Sequence, residues 1–83
     1  MIKNYMEVLV LDVINELKKD YGLDENSMEF ELIQTLALNN LPPKYFPPNA
    51  SEGEKKSFLL DKQRHIMVMA AIARAVELVK YPL

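Results

Sequence analysis

Ala37-Leu38-Asn39-Asn40-Leu41-Pro42-Pro43-Lys44-Tyr45-Phe46-Pro47-Pro48 decides how the rest of the chain is read. Prolines at 42 and 43 remove two backbone donors and hold Leu41 and Pro42 out of the α region, so no helix runs through this point. Asn39 and Asn40 suit a helix end, because Asn tolerates the left-handed conformation. A second pair, Pro47 and Pro48, stiffens the connection. Between the pairs stand one cation and two aromatics, Lys44, Tyr45 and Phe46. Upstream the pattern reads as two helices, and downstream as one long helix. The expected fold is all-α: three helices, two shorter and one long and C-terminal, joined by the proline-rich turn.

The spacing predicts a first helix from about Lys3 to Tyr21. Ile2, Met6, Leu9, Val13 and Leu17 recur by threes and fours, which makes one core-facing stripe. Val8, Val10 and Leu11 widen it, and only Asp12 interrupts the apolar run from Val8 to Val13. Such an arc fits a helix buried on two sides within one chain, or a helix shared with a second subunit. Gly22 supplies the stop. Asp24, Asn26 and Ser27 are rival N-caps for a second helix from about Glu25 to Asn39, with Asn26 and Glu29 spaced as a capping box. Met28, Leu32, Leu36 and Ile33 form its stripe, and Phe30 falls on a different face.

The third helix is expected from about Lys55 to Lys80, starting anywhere from Glu52 to Ser57. Ser51 and Glu54 have the spacing of a capping box, and Pro82 marks the end. Its first half is amphipathic, with Phe58, Leu59 and Ile66 against Lys55, Lys62 and Arg64. Residues 66–73, Ile-Met-Val-Met-Ala-Ala-Ile-Ala, are apolar on every face. A helix that is apolar all round is buried all round.

Eighty-three residues make a single domain, 1–83. A chain this short buries only roughly 60% of its unfolded surface, and small domains often add disulfides, a metal or a partner chain. With no cysteine, disulfides and thiolate zinc sites are excluded, which leaves a partner chain. The net charge of −2 gives no electrostatic case for binding duplex nucleic acid. The longest apolar run, Ile66 to Ala73, falls well short of the ~20 residues that cross a bilayer, and no secretory signal is seen. The expectation is a cytoplasmic protein away from the membrane.

Enzymatic chemistry finds little material. His65 is the single histidine, and two glycines cannot build a phosphate loop. Asp12 and Glu16 share a helix face at i and i+4; such a pair does acid–base work in some sites and is a solvated face in most. No catalytic residue, metal ligand or cofactor is expected. The cations carry more. Lys44 stands in the turn beside Tyr45 and Phe46, and Lys62, Arg64 and His65 open the third helix. If the turn packs there, these groups converge on an anion, where Arg suits phosphate through its planar fork and Tyr45 offers a stacking face. The plainer reading makes them solvated charges and the two aromatics core plugs.

Three segments resemble a known family, in order. Lys3-Asn4-Tyr5-Met6-Glu7-Val8-Leu9-Val10 is similar to its opening helix. Leu36 to Tyr45 is similar to its most recognisable motif, Ala-Leu-Asn-x-Leu-Pro-Pro-Arg/Lys-Tyr. Leu60-Asp61-Lys62-Gln63, followed by an apolar helix and a final proline, is similar to its third helix. Together these resemble the late competence development protein ComFB family over nearly the whole chain.

The resemblance implies a small all-helical domain that forms an intertwined homodimer. Members with cysteines between the first two helices resemble a zinc-bearing version; here that segment is Leu23 to Glu29 without cysteine, so no metal is carried over. A subset of such domains is associated with cyclic dinucleotide binding, which implies a receptor role. Lys44 and Tyr45 carry over from the motif. Arg64 and His65 do not carry over from the motif and are added only from their place after Asp61-Lys62-Gln63; Lys62 joins them as a cation at the start of the third helix.

The resulting expectation is a dimeric, non-enzymatic regulator that binds a cyclic dinucleotide (c-di-GMP or c-di-AMP) through Lys44, Tyr45, Lys62, Arg64 and His65. Val8, Leu11, Met67, Met69 and Ala71 are the expected dimer contacts. The alternative is a structural interaction module that docks another regulatory protein without a small ligand.

Overall fold

The computed structural model describes residues 2–81, all-helical but for one isolated bridge. It contains four helices rather than the expected three: α1 Met6–Leu17, α2 Met28–Asn39, α3 Glu52–Leu60 and α4 Lys62–Lys80. The expected long third helix is broken at Asp61, whose backbone is extended, with φ −67° and ψ 119°. Its carboxylate accepts from the Gln63 N–H at 3.2 Å, so Asp61 ends α3 and caps α4. An Asp side chain competes well for free N–H groups at a helix start. That competition is why one residue splits a continuous helical pattern. Pro82 lies outside the described residues.

α1 is shorter than the expected Lys3–Tyr21 and keeps only the middle of the predicted stripe, Met6, Leu9 and Val13. Ile2 is exposed ahead of the helix, Leu17 is half-buried, and Val10 and Ile14 take the remaining core places. Met6, Leu9, Val10, Val13 and Ile14 are buried, at the i, i+3, i+4, i+7, i+8 spacing of one helix face. Its end is a Schellman turn: the Leu23 N–H donates to the Lys18 carbonyl at 2.7 Å and the Gly22 N–H to that of Lys19 at 3.2 Å. Gly22 has φ +64°, the left-handed geometry this turn requires. Lys80 Nζ donates to the Tyr21 carbonyl at 2.6 Å and lies 3.9 Å from Glu29. The last turn of α4 is thereby held against the α1–α2 junction.

α2 is rotated from expectation. Ser27 is its N-cap, accepting from the Phe30 N–H at 3.1 Å. Phe30, Ile33 and Ala37 face the core, whereas Met28, placed on the stripe, is 86% exposed and Leu32 is also exposed. Two stripes compete on this helix, and the one containing the large aromatic removes more apolar surface from water. The small Ala37 lets the neighbouring helices approach. Asn40 ends the helix at φ −104°, without the left-handed turn expected of it. Ser51 caps α3 as predicted, accepting from the Glu54 N–H at 3.1 Å.

α2 and α4 make the most extensive pairing, and α1 packs on both. Val68, Ile72, Ala75 and Val76 of α4 complete the core. The segment 66–73 is therefore covered on one side only within the chain: Val68 and Ile72 are buried, while Ile66, Met67 and Met69 are exposed. No helix among the described residues is long and apolar enough to cross a membrane.

Candidate functional site

The proline-rich turn folds back onto the start of the chain. Asn4 Oδ1 accepts from the Lys44 N–H at 2.9 Å and from the Met6 N–H at 3.0 Å. The Tyr5 N–H donates to the Lys44 carbonyl at 2.7 Å, and Asn4 and Tyr45 form an isolated antiparallel bridge. Prolines cannot donate, so Lys44 is the first residue after Pro42-Pro43 able to pair in this way. Beneath the turn Leu41 is buried. The Phe46 ring stands edge-on to Tyr5 at 4.9 Å and to Phe58 of α3 at 5.8 Å. The turn thus packs on α3, close to the α3–α4 elbow.

That packing brings together two of the five expected site residues. Lys44 and Arg64, with Phe46, Glu54, Ser57, Phe58 and Asp61, line an open hollow of about 440 Å³. Each cation lies over a ring: Lys44 Nζ 4.9 Å from the Phe46 centroid, and the Arg64 guanidinium 4.3 Å from that of Phe58. Asp61 holds Arg64 through one contact of 3.0 Å, which leaves most of its five donors free. Glu54 and Asp61 balance the two cations, so the hollow is neutral in formal charge. Tyr45 is 54% exposed and does not line it. Phe46 takes the place expected of Tyr45.

Lys62 and His65 sit elsewhere. They lie on another face of α4, over a groove of about 510 Å³ between α1 and the elbow. Its floor includes Leu9, Val13 and Leu59, and Asp12 and Glu16 stand on its rim. His65 Nε2 is 3.7 Å from Glu16 Oε2. The acidic pair of α1 therefore faces Lys62 and His65, the two side chains expected at an anion. Lys62, Arg64 and His65 share α4. At about 100° per residue, Arg64 stands roughly 200° from Lys62 and roughly 100° from His65 around the axis, so one helix does not aim all three at the turn.

The expected dimer contacts also separate. Leu11 borders a hollow between α1 and the start of α2. Val8 and Ala71 are half-buried within the chain, and Met67 and Met69 are exposed on α4. Two residues were overlooked. Asn4 fastens the turn, and its position just before a helix was the available signal. Leu60, 78% exposed at the lip of the α1–elbow groove, follows from the break at Asp61.

Comparison with known proteins gives one match. A family-wide sequence description, "Late competence development protein ComFB", fits residues 3–82. The chain belongs to the ComFB family. No curated protein and no solved structure is matched by it. The ComFB motif in this chain, Ala37 to Tyr45, contains the buried Leu41, the two exposed prolines and the clasped Lys44. The opening ComFB segment provides the other half of the clasp through Asn4. The opening segment and the proline-rich segment thus meet in space.

Proposed function

We propose that this ComFB-family chain is a non-enzymatic regulator that works as a homodimer and binds a small phosphorylated ligand of the cyclic dinucleotide class. The observation that carries the reading is the convergence of Lys44 and Arg64, twenty positions apart, on one hollow walled by Phe46 and Phe58. Arg64 is oriented by Asp61 and by the Phe58 ring, so little ordering is left for binding to cost. Lys44 projects from backbone fixed by prolines and by Asn4. Tyr45 stays exposed next to it and offers a ring for base stacking, worth roughly 1–3 kcal/mol in nucleic-acid complexes. A two-fold dimer presents the turn twice, which suits a ligand that itself has two-fold symmetry and two phosphates.

The test is calorimetry with c-di-GMP and c-di-AMP on the wild type and on Lys44→Ala. Binding by the wild type, weakened roughly tenfold or more in the variant, is expected for the loss of a charge-assisted contact. Equal binding by both proteins places the site elsewhere. If the wild type binds neither, the second reading gains: a module that docks another protein. One observation favours that alternative. Leu60 and Ile66, 78% and 64% exposed, border the largely apolar groove between α1 and the elbow.

A further inference from the structure

A second depression lies across the Phe46 ring from the Lys44–Arg64 hollow. Its volume is about 210 Å³, and its walls are Lys3, Tyr5, Phe46, Pro47, Pro48 and Lys55. Unlike the first hollow, it has two cations and no carboxylate in its lining. Lys3 Nζ lies 5.3 Å from the Tyr5 centroid and Lys55 Nζ 5.9 Å from the same ring. Two ammonium groups are thus gathered over one side chain, from segments more than fifty positions apart. The Lys55 side chain is only 25% exposed, and its nearest counter-charge, Glu52, is 3.7 Å away on a side chain that is 84% exposed. An ion pair of that kind contributes little. The lining offers these two lysines no carboxylate, so an anion seated in it meets two ammonium groups.

We infer that Lys3 and Lys55 form an anion-binding site for a phosphate ester, with Tyr5 and the Pro47-Pro48 surface receiving the apolar or planar body of the ester. The walls fit that division: charge on two sides, ring and pyrrolidine faces on the others. Phosphate takes point-charge contacts from lysine readily. The site goes beyond the preceding proposal, since it requires neither Arg64 nor a dimer.

The experiment is an NMR titration of the whole labelled chain with phenyl phosphate, and in parallel with inorganic phosphate. Phenyl phosphate is expected to shift the amides of Lys3, Tyr5, Phe46 and Lys55, and to bind more tightly than inorganic phosphate. Lys3→Gln and Lys55→Gln should each weaken it roughly tenfold, the loss of one charge-assisted contact. The charge-keeping pair Lys3→Arg and Lys55→Arg should retain it, which separates a lost site from a damaged fold. Unchanged affinity in the Gln variants, or shifts confined to Lys44 and Arg64, overturns the site. Equal affinity for inorganic phosphate overturns the role of Tyr5 and Pro47-Pro48. Lys44→Ala should leave the phenyl phosphate shifts at Lys3 and Lys55 unchanged, so failure here and failure of the cyclic dinucleotide reading are told apart.

Discussion

Asn4 shows how much one side chain does in a chain this small. Its carbonyl oxygen accepts from the N–H groups of both Met6 and Lys44, joining the start of α1 to the turn. Asn4→Ala leaves both donors without a protein partner in a partly buried setting. The expected cost is about 1–3 kcal/mol, toward the low end because water reaches part of the site. Urea unfolding measures it, and Asn4→Asp, which keeps the acceptor, should recover much of the loss. Gly22 is a second case. Its φ of +64° disfavours any Cβ, while a Cβ built there meets only Lys80 Nζ at 3.6 Å, an ordinary contact. Gly22→Ala should therefore cost about 1 kcal/mol from backbone strain alone. A much larger loss in thermal unfolding would mean that the turn has other constraints.

At the scale of elements, the break at Asp61 matters most. Asp61→Ala removes the cap on α4 and the partner of Arg64, and should destabilise the chain by about 1 kcal/mol. It should also loosen Arg64, seen as faster side-chain motion by NMR relaxation. An unchanged Arg64 would show that the Phe58 ring alone positions it. The helical class and the approximate places of α1, α2 and the turn were legible in the sequence, because periodic apolar spacing and paired prolines act locally. The elbow was not. Residues 55–80 carry no Gly or Pro, and an Asp within such a run looks like a solvated helix residue until a free N–H competes for it. Phe30 was misplaced for a related reason: spacing allows two stripes on α2, and only packing against α1 and α4 chooses between them. The site divided likewise. Lys44 and Arg64 line one hollow, whereas Lys62 and His65 turn toward Asp12 and Glu16.

For the whole molecule, the outward side of α4 is the surface that the proposed dimer would cover. Ile66 and Met67 are exposed in the single chain, while Ile72, on the same helix, is fully buried. The two classes predict different failures. Ile72→Ala should cost about 2–5 kcal/mol by opening a cavity, and unfolding should show it whatever the assembly. Met67→Asp should leave the monomer fold intact, since Met67 is exposed in the chain, and abolish the proposed dimer, because a charge would be buried without a partner at the interface. Sedimentation velocity distinguishes them: a folded monomer for Met67→Asp against a dimeric wild type. A wild type that stays monomeric at high concentration refutes the dimer. Ala71→Asp is a poorer probe, since Ala71 already packs against the core of its own chain.

The clasp between Asn4 and Lys44 also bears on time. It ties the turn to the chain start through a few hydrogen bonds at the periphery, while the core of α1, α2 and α4 is held by apolar packing. Such a fastening can open and close many times before the helices separate. The Lys44 and Tyr5 amides should then exchange with solvent deuterium far faster than those of Val13 or Ile72, and a ligand seated at Lys44 should slow the first pair without touching the second. The hydrogen bonds of the clasp would then keep a clock separate from that of the helical core, while Leu41 and Phe46 hold the turn in place.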